Sequence, residues 1–331
     1  SDLKGTLIAV AAVGPDGKIA SYSNRCGAAA EWCLAAPGGE IDGKTNGVFS
    51  TFPMRTYEYE AGTSMAAPHV TGSAAVLREA FPYMNARQVI ETILTTAKDV
   101  GPAEIYGQGM LDLGTAVKGP MAFRYDGVFD VDTQGYVSEW SNPISGPAGL
   151  RKRGAGTLIL SGDNSYAGAT NVTGGTLAVT GRLTGATTVR GSGRLAGTGT
   201  TGDLMVRAGG TVSPGRAEAP DETVGKMKVA GSFTQQSDSV YELTIDGTAA
   251  DRIVVEGSAT IETGAKIDLL SLAEMPAIGS RFDILTAGGG VTGEYLSPGN
   301  AATPFLSFDI VRGARNVALS VGRSDLSFAS A

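Results

Sequence analysis

A short glycine-bounded phrase recurs in the second half of the chain and constrains the fold more than any other feature. Its copies begin at Gly156, Gly175, Gly193 and Gly210, so that successive starts differ by 19, 18 and 17 residues. Apolar residues alternate in step with the glycine turns, which a flexible linker would not require. A near-constant period of this length predicts stacked coils of short strands, each burying Leu, Val or Ile against the next. A β-sandwich with strands at short intervals is the alternative.

Composition agrees with a chain of two parts. Glycine accounts for 48 of the 331 residues, about twice the usual frequency, and much of the excess follows residue 150. The length itself favours about two domains. A formal net charge of −7 argues against a nucleic-acid partner, which would call for a basic footprint. No run of 18 apolar residues is present to form a transmembrane helix.

Residues 62–72 read Gly-Thr-Ser-Met-Ala-Ala-Pro-His-Val-Thr-Gly, and here a loop of small residues becomes an apolar helix. Ser64 lies at that transition, where free backbone N–H groups and the positive end of the helix dipole favour a developing oxyanion. We expect Gly62 to permit a close backbone approach. The apolar residues 74–77 predict a helix that is buried on all sides. The alternative is an N-capping serine before a core helix.

The same eleven residues resemble the nucleophile motif of the subtilisin-like serine proteases. The apolar run 7–13, the segment 34–38 and the segment 107–113 also resemble the strands and closing segment of that family. The resemblance covers about residues 1–118 and implies the C-terminal part of an α/β domain with a doubly wound parallel sheet. It makes Ser64 the acyl-forming nucleophile, whose own backbone N–H donates to the oxyanion.

The rest of the catalytic triad is not found in the chain. Its one histidine, His69, follows Ser64 by five residues and lies about 140° away from it around the helix. In the family the order is Asp, His, Ser, and the histidine of this motif is a packed structural residue rather than the base. We therefore expect the Asp, the His and the side-chain oxyanion donor upstream of Ser1. The chain would then be a truncated, nicked or processed piece that is inactive alone and needs the missing N-terminal part as its partner.

Cys26 and Cys33 are the two cysteines, and they lie in one loop with six residues between them. A pair at this spacing can close a small disulfide ring or remain as two free thiols. The resemblance of this loop to subtilases carried by bacterial autotransporters favours the disulfide. Metal binding is not favoured, since no further cysteine or nearby histidine completes a site.

Residues 164–179 and 209–215 resemble the repeat of autotransporter passengers. This implies a linker into the stem over 119–153, rungs of a right-handed parallel β-helix over 154–230, and a membrane-proximal, autochaperone-like β-rich cap over 231–331. We expect further strands at 251–257, 282–287 and 317–321. The basic residues 151–153 are expected in a solvated linker, with a cleavage or binding site as the alternative.

The sequence thus favours a serine endopeptidase of the subtilase family carried as an autotransporter passenger, which acts on protein or peptide substrates. The family continues into an outer-membrane translocator barrel, so we expect a location on the surface of a Gram-negative bacterium or secretion from it. The alternative is a non-enzymatic adhesin or structural stem. A carbohydrate-active β-helix would need clustered carboxylates, and residues 154–215 contain only Asp163 and Asp203. No cofactor is expected; calcium is common in the family, but no ligand set can be read here.

Overall fold

A computed structural model of the chain describes residues 5–41, 46–125, 127–215, 224–296 and 305–324. The chain divides into two compact units, Ser1–Ala122 and Phe123–Ala331. Within the described ranges, no helix combines the length and the apolar character needed to span a membrane.

In its described residues, the first unit contains four strands, four helices and two short 3-10 turns. The strands are β1 (Ala9–Val13), β2 (Cys33–Pro37), β3 (Val48–Phe52) and β4 (Thr56–Glu60). The helices are α1 (Thr63–Ala80), α2 (Ala86–Thr95), α3 (Ala103–Tyr106) and α4 (Leu113–Ala116), and the 3-10 turns are Gly27–Trp32 and Pro53–Arg55.

The core of this unit forms where β1 and β2 pair in parallel, with Ala9 opposite Cys33 and Val13 opposite Pro37. Small apolar side chains on both strands let α1 pack closely against them. The apolar run 7–13 predicts a buried parallel strand, and the structure confirms it over Ala9–Val13.

Helix α1 differs from the expectation of burial on all sides. Its buried residues form a single stripe at helical spacing, namely Ala66, Val70, Ser73 and Leu77. The other faces are exposed, and the Val76 side chain is 41% accessible. Because a helix buries only the faces that a neighbour covers, the apolar composition of α1 exceeds what the described part of the unit can cover.

Helix α2 begins at Ala86, and Asn85 is its N-cap. The Asn85 side chain accepts a hydrogen bond from the Gln88 backbone N–H at 3.0 Å, and the Gln88 side chain accepts one from the Asn85 N–H at 3.0 Å. This reciprocal pair satisfies two N–H groups that the first turn leaves without partners. The sequence therefore fixes the start of α2 locally, through the side chains of Asn85 and Gln88.

The second unit is built from strands. Its first part contains β5 (Val128–Asp132), β6 (Val137–Trp140), β7 (Gly149–Arg153), β8 (Thr157–Leu160), β9 (Asp163–Asn164), β10 (Thr170–Val179), β11 (Arg182–Leu183), β12 (Thr187–Gly197), β13 (Thr200–Thr201), β14 (Leu204–Val206) and β15 (Thr211–Pro214). Its second part contains β16 (Lys226–Val229), β17 (Phe233–Gln235), β18 (Val240–Asp246), β19 (Ala249–Ala250), β20 (Arg252–Val255), β21 (Ala259–Ile261), β22 (Lys266–Glu274), β23 (Arg281–Ala287), β24 (Val291–Gly293), β25 (Leu306–Arg312) and β26 (Asn316–Arg323).

The recurring glycine phrases lie in register in a large, mostly parallel sheet. Leu158 of β8 pairs with Leu177 of β10, Leu177 with Leu195 of β12, and Leu195 with Val212 of β15. All four side chains are fully buried. The stacking of equivalent apolar residues that the period predicts is confirmed.

A second sheet runs through β9, β11, β13, β16, β20, β23, β26 and β25 among the described strands. Its pairs are parallel as far as β23, and β26 then pairs antiparallel with both β23 and β25. The predicted strands at 251–257, 282–287 and 317–321 correspond to β20, β23 and β26. Residues 216–223 of the predicted rungs, and residues 297–304 and 325–331 of the predicted cap, lie outside the described residues.

Within residues 119–153, the expected linker or entry to the stem, the structure has the strands β5, β6 and β7. Strand β5 pairs in parallel with β7, which places Asp130 opposite Arg151 and Asp132 opposite Arg153. The Arg151 guanidinium lies 2.6 Å from the Asp130 carboxylate, and the Arg153 guanidinium lies 3.0 Å from that of Asp132. The solvated-linker interpretation of 151–153 is corrected, because opposite charges face each other across this ladder.

Candidate functional site

The loop that leads into α1 is hydrogen-bonded to Gly38, the residue that follows β2. The Gly62 N–H donates to the Gly38 carbonyl at 2.8 Å. A Cβ atom on Gly38 would contact the Ala12 side chain and lie 2.8 Å from the Gly62 oxygen, so only glycine fits there. A Cβ on Gly62 would meet no atom closer than 3.5 Å. The close approach expected at Gly62 is therefore made at Gly38.

The Tyr22 side chain forms hydrogen bonds to the backbone at this junction. Its phenolic O–H donates to the carbonyl of Gly38 at 2.8 Å and to that of Gly39 at 2.9 Å. Partial burial, and secondarily the nearby Glu40 carboxylate, raise the pKa of Tyr22 above its ordinary value. The phenol therefore stays protonated and remains a donor over the ordinary pH range.

Ser64 is the second residue of α1, and it is exposed. The Gly62 carbonyl accepts hydrogen bonds from the N–H groups of Met65 at 3.0 Å and Ala66 at 3.3 Å, and so closes the first turn. The Ser64 N–H lies in that turn, where no carbonyl of the helix is available to it. Pro68, four residues later, has no N–H to offer the Ser64 carbonyl. The backbone around Ser64 is thus left open to an outside ligand.

His69 is engaged with its own helix rather than with Ser64. Its Nδ1 atom lies 2.8 Å from the Met65 carbonyl oxygen. Unlike the packed residue expected from the sequence, its side chain is exposed. The structure therefore does not bring a base to Ser64 from this residue.

Ser64 opens onto a cleft of about 450 Å³. One wall is the start of α1 and the other is the β3–β4 hairpin; the lining residues are Val48, Phe49, Ser50, Thr51, Phe52, Glu58, Glu60, Ser64, Met65, Pro68 and His69. Sequence reasoning missed this hairpin, although the strict alternation of Thr56-Tyr-Glu-Tyr-Glu60 is the period-two signal of a strand.

The structure joins Cys26 and Cys33 by a disulfide, with their Cα atoms 5.7 Å apart. Both residues are buried in the core, together with Tyr106 and side chains of β1 and β2. The Cys26 N–H also donates to the Ile105 carbonyl at 3.2 Å. Because β2 begins at Cys33 and leads directly into Gly38, the disulfide anchors the start of the strand that positions the site.

In the described part of the chain, no group of three or more His, Cys, Asp and Glu side chains lies close enough to hold a metal ion.

Two segments of the chain match known sequence families, one segment in each unit. Residues 2–109 match the subtilase family, and residues 150–179 match the passenger-associated transport repeat. An extracellular serine protease of Serratia marcescens is 31% identical over 390 residues, covering 99% of this chain and 37% of that protein. The autotransporter lipoprotein NalP of Neisseria meningitidis serogroup B is 33% identical over 287 residues, covering 81% of this chain and 26% of that protein.

The chain therefore spans well under half the length of either relative. Among solved structures, a protease from Pseudoalteromonas arctica is 32% identical with a TM-score of 0.29, covering 33% of this chain and 34% of that one. The chain thus carries a subtilase-family segment followed by a passenger-associated transport repeat, and over most of its length it is similar to an extracellular serine protease and to an autotransporter lipoprotein.

Proposed function

We propose that this chain supplies the nucleophile-bearing part of a serine endopeptidase that acts on protein or peptide substrates. The observation that carries the proposal is the exposed position of Ser64 in the first turn of α1, at the edge of an open cleft. The match of residues 2–109 to the subtilase family supports it, as does the name of the Serratia relative.

In the proposed reaction, the Ser64 oxygen attacks the scissile carbonyl carbon while its proton passes to a histidine base. The Ser64 N–H and the dipole of α1 stabilise the negative charge on the carbonyl oxygen. The intermediate then collapses, the base returns the proton to the leaving amine, and water hydrolyses the acyl-enzyme. His69 does not serve as this base, because its ring is turned to the Met65 carbonyl.

The base, its orienting aspartate and the second oxyanion donor are accordingly supplied by polypeptide outside these 331 residues. We propose that this partner is the N-terminal part of the protease domain. The exposed faces of α1, which carry Ala67, Ala75 and Val76, support the proposal, since they offer a surface that a packed neighbour would cover. By itself, the chain should not hydrolyse peptides.

We further propose how the chain is divided: the protease part extends over 1–118, and residues 119–153 lead into the stem. Residues 154–230 would form rungs of a right-handed parallel β-helix, and 231–331 an autochaperone-like cap. The parallel, in-register pairing of β8, β10, β12 and β15 supports the rungs. The whole protein would be a cell-surface or secreted passenger delivered by an outer-membrane translocator barrel; the words extracellular and autotransporter in the relatives' names support the location.

Proteolysis by a longer polypeptide that joins this chain to its upstream protease sequence tests the proposal. We expect Ser64→Ala to abolish peptide hydrolysis, by at least about a thousand-fold, because the covalent route is lost. The matched control is Ser50→Ala, which removes another hydroxyl-bearing residue from the lining of the same cleft. Equal activity of Ser64→Ala and wild type would contradict the proposal. Cell or matrix binding that is unchanged in an inactive Ser64→Ala protein would instead favour an adhesive stem.

A further inference from the structure

We infer that the cleft beside Ser64 selects substrates with a lysine or arginine side chain next to the scissile bond. The inference rests on the proposed function, because it concerns the substrate of that same site. Glu58 and Glu60 line the cleft together with Ser64, whereas its lining, as far as the structure describes it, includes no lysine or arginine.

The geometry of the hairpin fixes which side chains of β4 meet the cleft. Side chains alternate between the two faces of a strand, so Glu58 and Glu60 share one face and Tyr57 and Tyr59 share the other. The cleft lining follows this alternation, since it includes both glutamates and neither tyrosine. In the register of the hairpin, Glu58 lies opposite Ser50 and Glu60 opposite Val48.

Aromatic side chains of β3 and β4 contact one another across the hairpin, and one of them, Phe49, also lines the cleft. Phe49 stacks on Tyr57 with ring centroids 5.5 Å apart, and its ring centroid lies 4.8 Å from that of Tyr59. These cross-strand contacts stabilise the register that presents both glutamates to the cleft.

The two carboxylates lack a cationic partner among the described residues. Residues two apart on a strand are separated by about 6.6 Å, so their charges repel each other. A cationic side chain between them would relieve that repulsion. Phe52, Met65 and Pro68 line the same cleft and provide apolar surface for the aliphatic stem of a lysine or arginine. The combination fits a basic side chain better than an acidic or purely apolar one.

Peptide profiling of the polypeptide that joins this chain to its upstream protease part tests the inference. The substrates carry Lys, Arg, Gln or Glu at each position flanking one scissile bond. We expect the wild type to favour Lys or Arg over Gln by about ten-fold in kcat/KM at one position, which corresponds to one charge-assisted contact. The double variant Glu58→Gln/Glu60→Gln should lose that preference, and Glu60→Lys should reverse it toward Glu. Raising the salt concentration should weaken the preference in the wild type alone.

Two further measurements separate this inference from the proposed function. Glu79→Gln, in the last turn of α1 and outside the cleft lining, is the matched control and should keep the full preference. Labelling of Ser64 by an uncharged fluorophosphonate should proceed at the same rate in wild type and all glutamate variants. The inference alone would be overturned if Ser64 is labelled but peptides with Lys or Arg are not preferred. It would also be overturned if that preference persists in the Glu58→Gln/Glu60→Gln double variant. Absence of labelling at Ser64 would overturn the proposed function and the inference with it.

Discussion

At the scale of single residues, the site depends on where the backbone has no room for a side chain. Gly38 lies against Ala12 and the Gly62 carbonyl, and its own carbonyl holds the Gly62 N–H. Gly72, in the exposed part of α1, has no neighbour within 4 Å of the position of a Cβ. Adding a methyl group at these two positions should therefore have opposite effects on the stability of the first unit.

We predict that Gly38→Ala destabilises the chain by about 1–3 kcal/mol, because the added methyl group forces the end of β2 away from Gly62. Gly72→Ala is the matched control and should raise the free energy of unfolding by about 1 kcal/mol, since alanine favours the helix and meets open space. Urea unfolding of the first unit measures both changes. Equal effects of the two substitutions would refute the proposed role of Gly38.

Lys152 is a fully buried cation in the second unit. Its ammonium group donates to the carbonyls of Arg153 at 2.9 Å, Ala155 at 3.4 Å and Gly174 at 3.4 Å. Burial lowers the pKa of Lys152 from 10.5 to about 8, despite the neighbouring Asp132 carboxylate. Because the folded-state pKa is the lower one, the charged lysine opposes folding, and this penalty is fully present below pH 8.

The free energy of unfolding should therefore rise with pH above 8, by about 1.5 kcal/mol between pH 8 and 9.5 from this residue. In Lys152→Met that rise should disappear. The urea midpoint of both proteins, followed across this pH range, measures the difference. Parallel pH profiles for variant and wild type would show that Lys152 titrates normally in the folded state.

At the scale of elements, the disulfide and the capped helix α2 stabilise the first unit, while the hairpin shapes its cleft. The motif at 62–72 was enough to predict the start of α1 and the exposed Ser64, because a loop-to-helix transition is a local property of sequence. It was not enough to predict which faces of α1 are buried, since burial depends on neighbours that composition does not name. The β3–β4 hairpin was not predicted, although the alternation of polar and aromatic residues at 56–60 indicates a strand.

Replacing both Cys26 and Cys33 with alanine should destabilise the first unit by about 2 kcal/mol, the loop-closure entropy of so short a ring. Amide hydrogen exchange read peptide by peptide is the measurement. Peptides from β1, β2 and α1 should exchange faster, while those of the second unit, which has no cysteine, should not change. Faster exchange throughout the chain would contradict this local role.

At the scale of the whole molecule, the glycine period predicted the stacked parallel strands of the second unit, and the motif at 62–72 predicted the loop-to-helix transition of the first. Equivalent glycine phrases align in the sheets because every coil must bury the same apolar positions. The strands at 128–153 escaped prediction, since their register depends on charges that are far apart in sequence, Asp130 with Arg151 and Asp132 with Arg153. The period of the repeat carries no information about the substrate or the partner. The proposals for both therefore depend on the cleft lining and on the similar proteins.

Locating a diisopropyl phosphoryl adduct by peptide mass mapping tests the central claim most directly. It is carried out on this chain alone and on the chain joined to its upstream protease sequence. We expect no adduct on the chain alone, because no histidine activates Ser64, and a stoichiometric adduct on Ser64 in the joined protein. An adduct on another residue of the joined protein, or rapid modification of Ser64 in the isolated chain, would contradict the account.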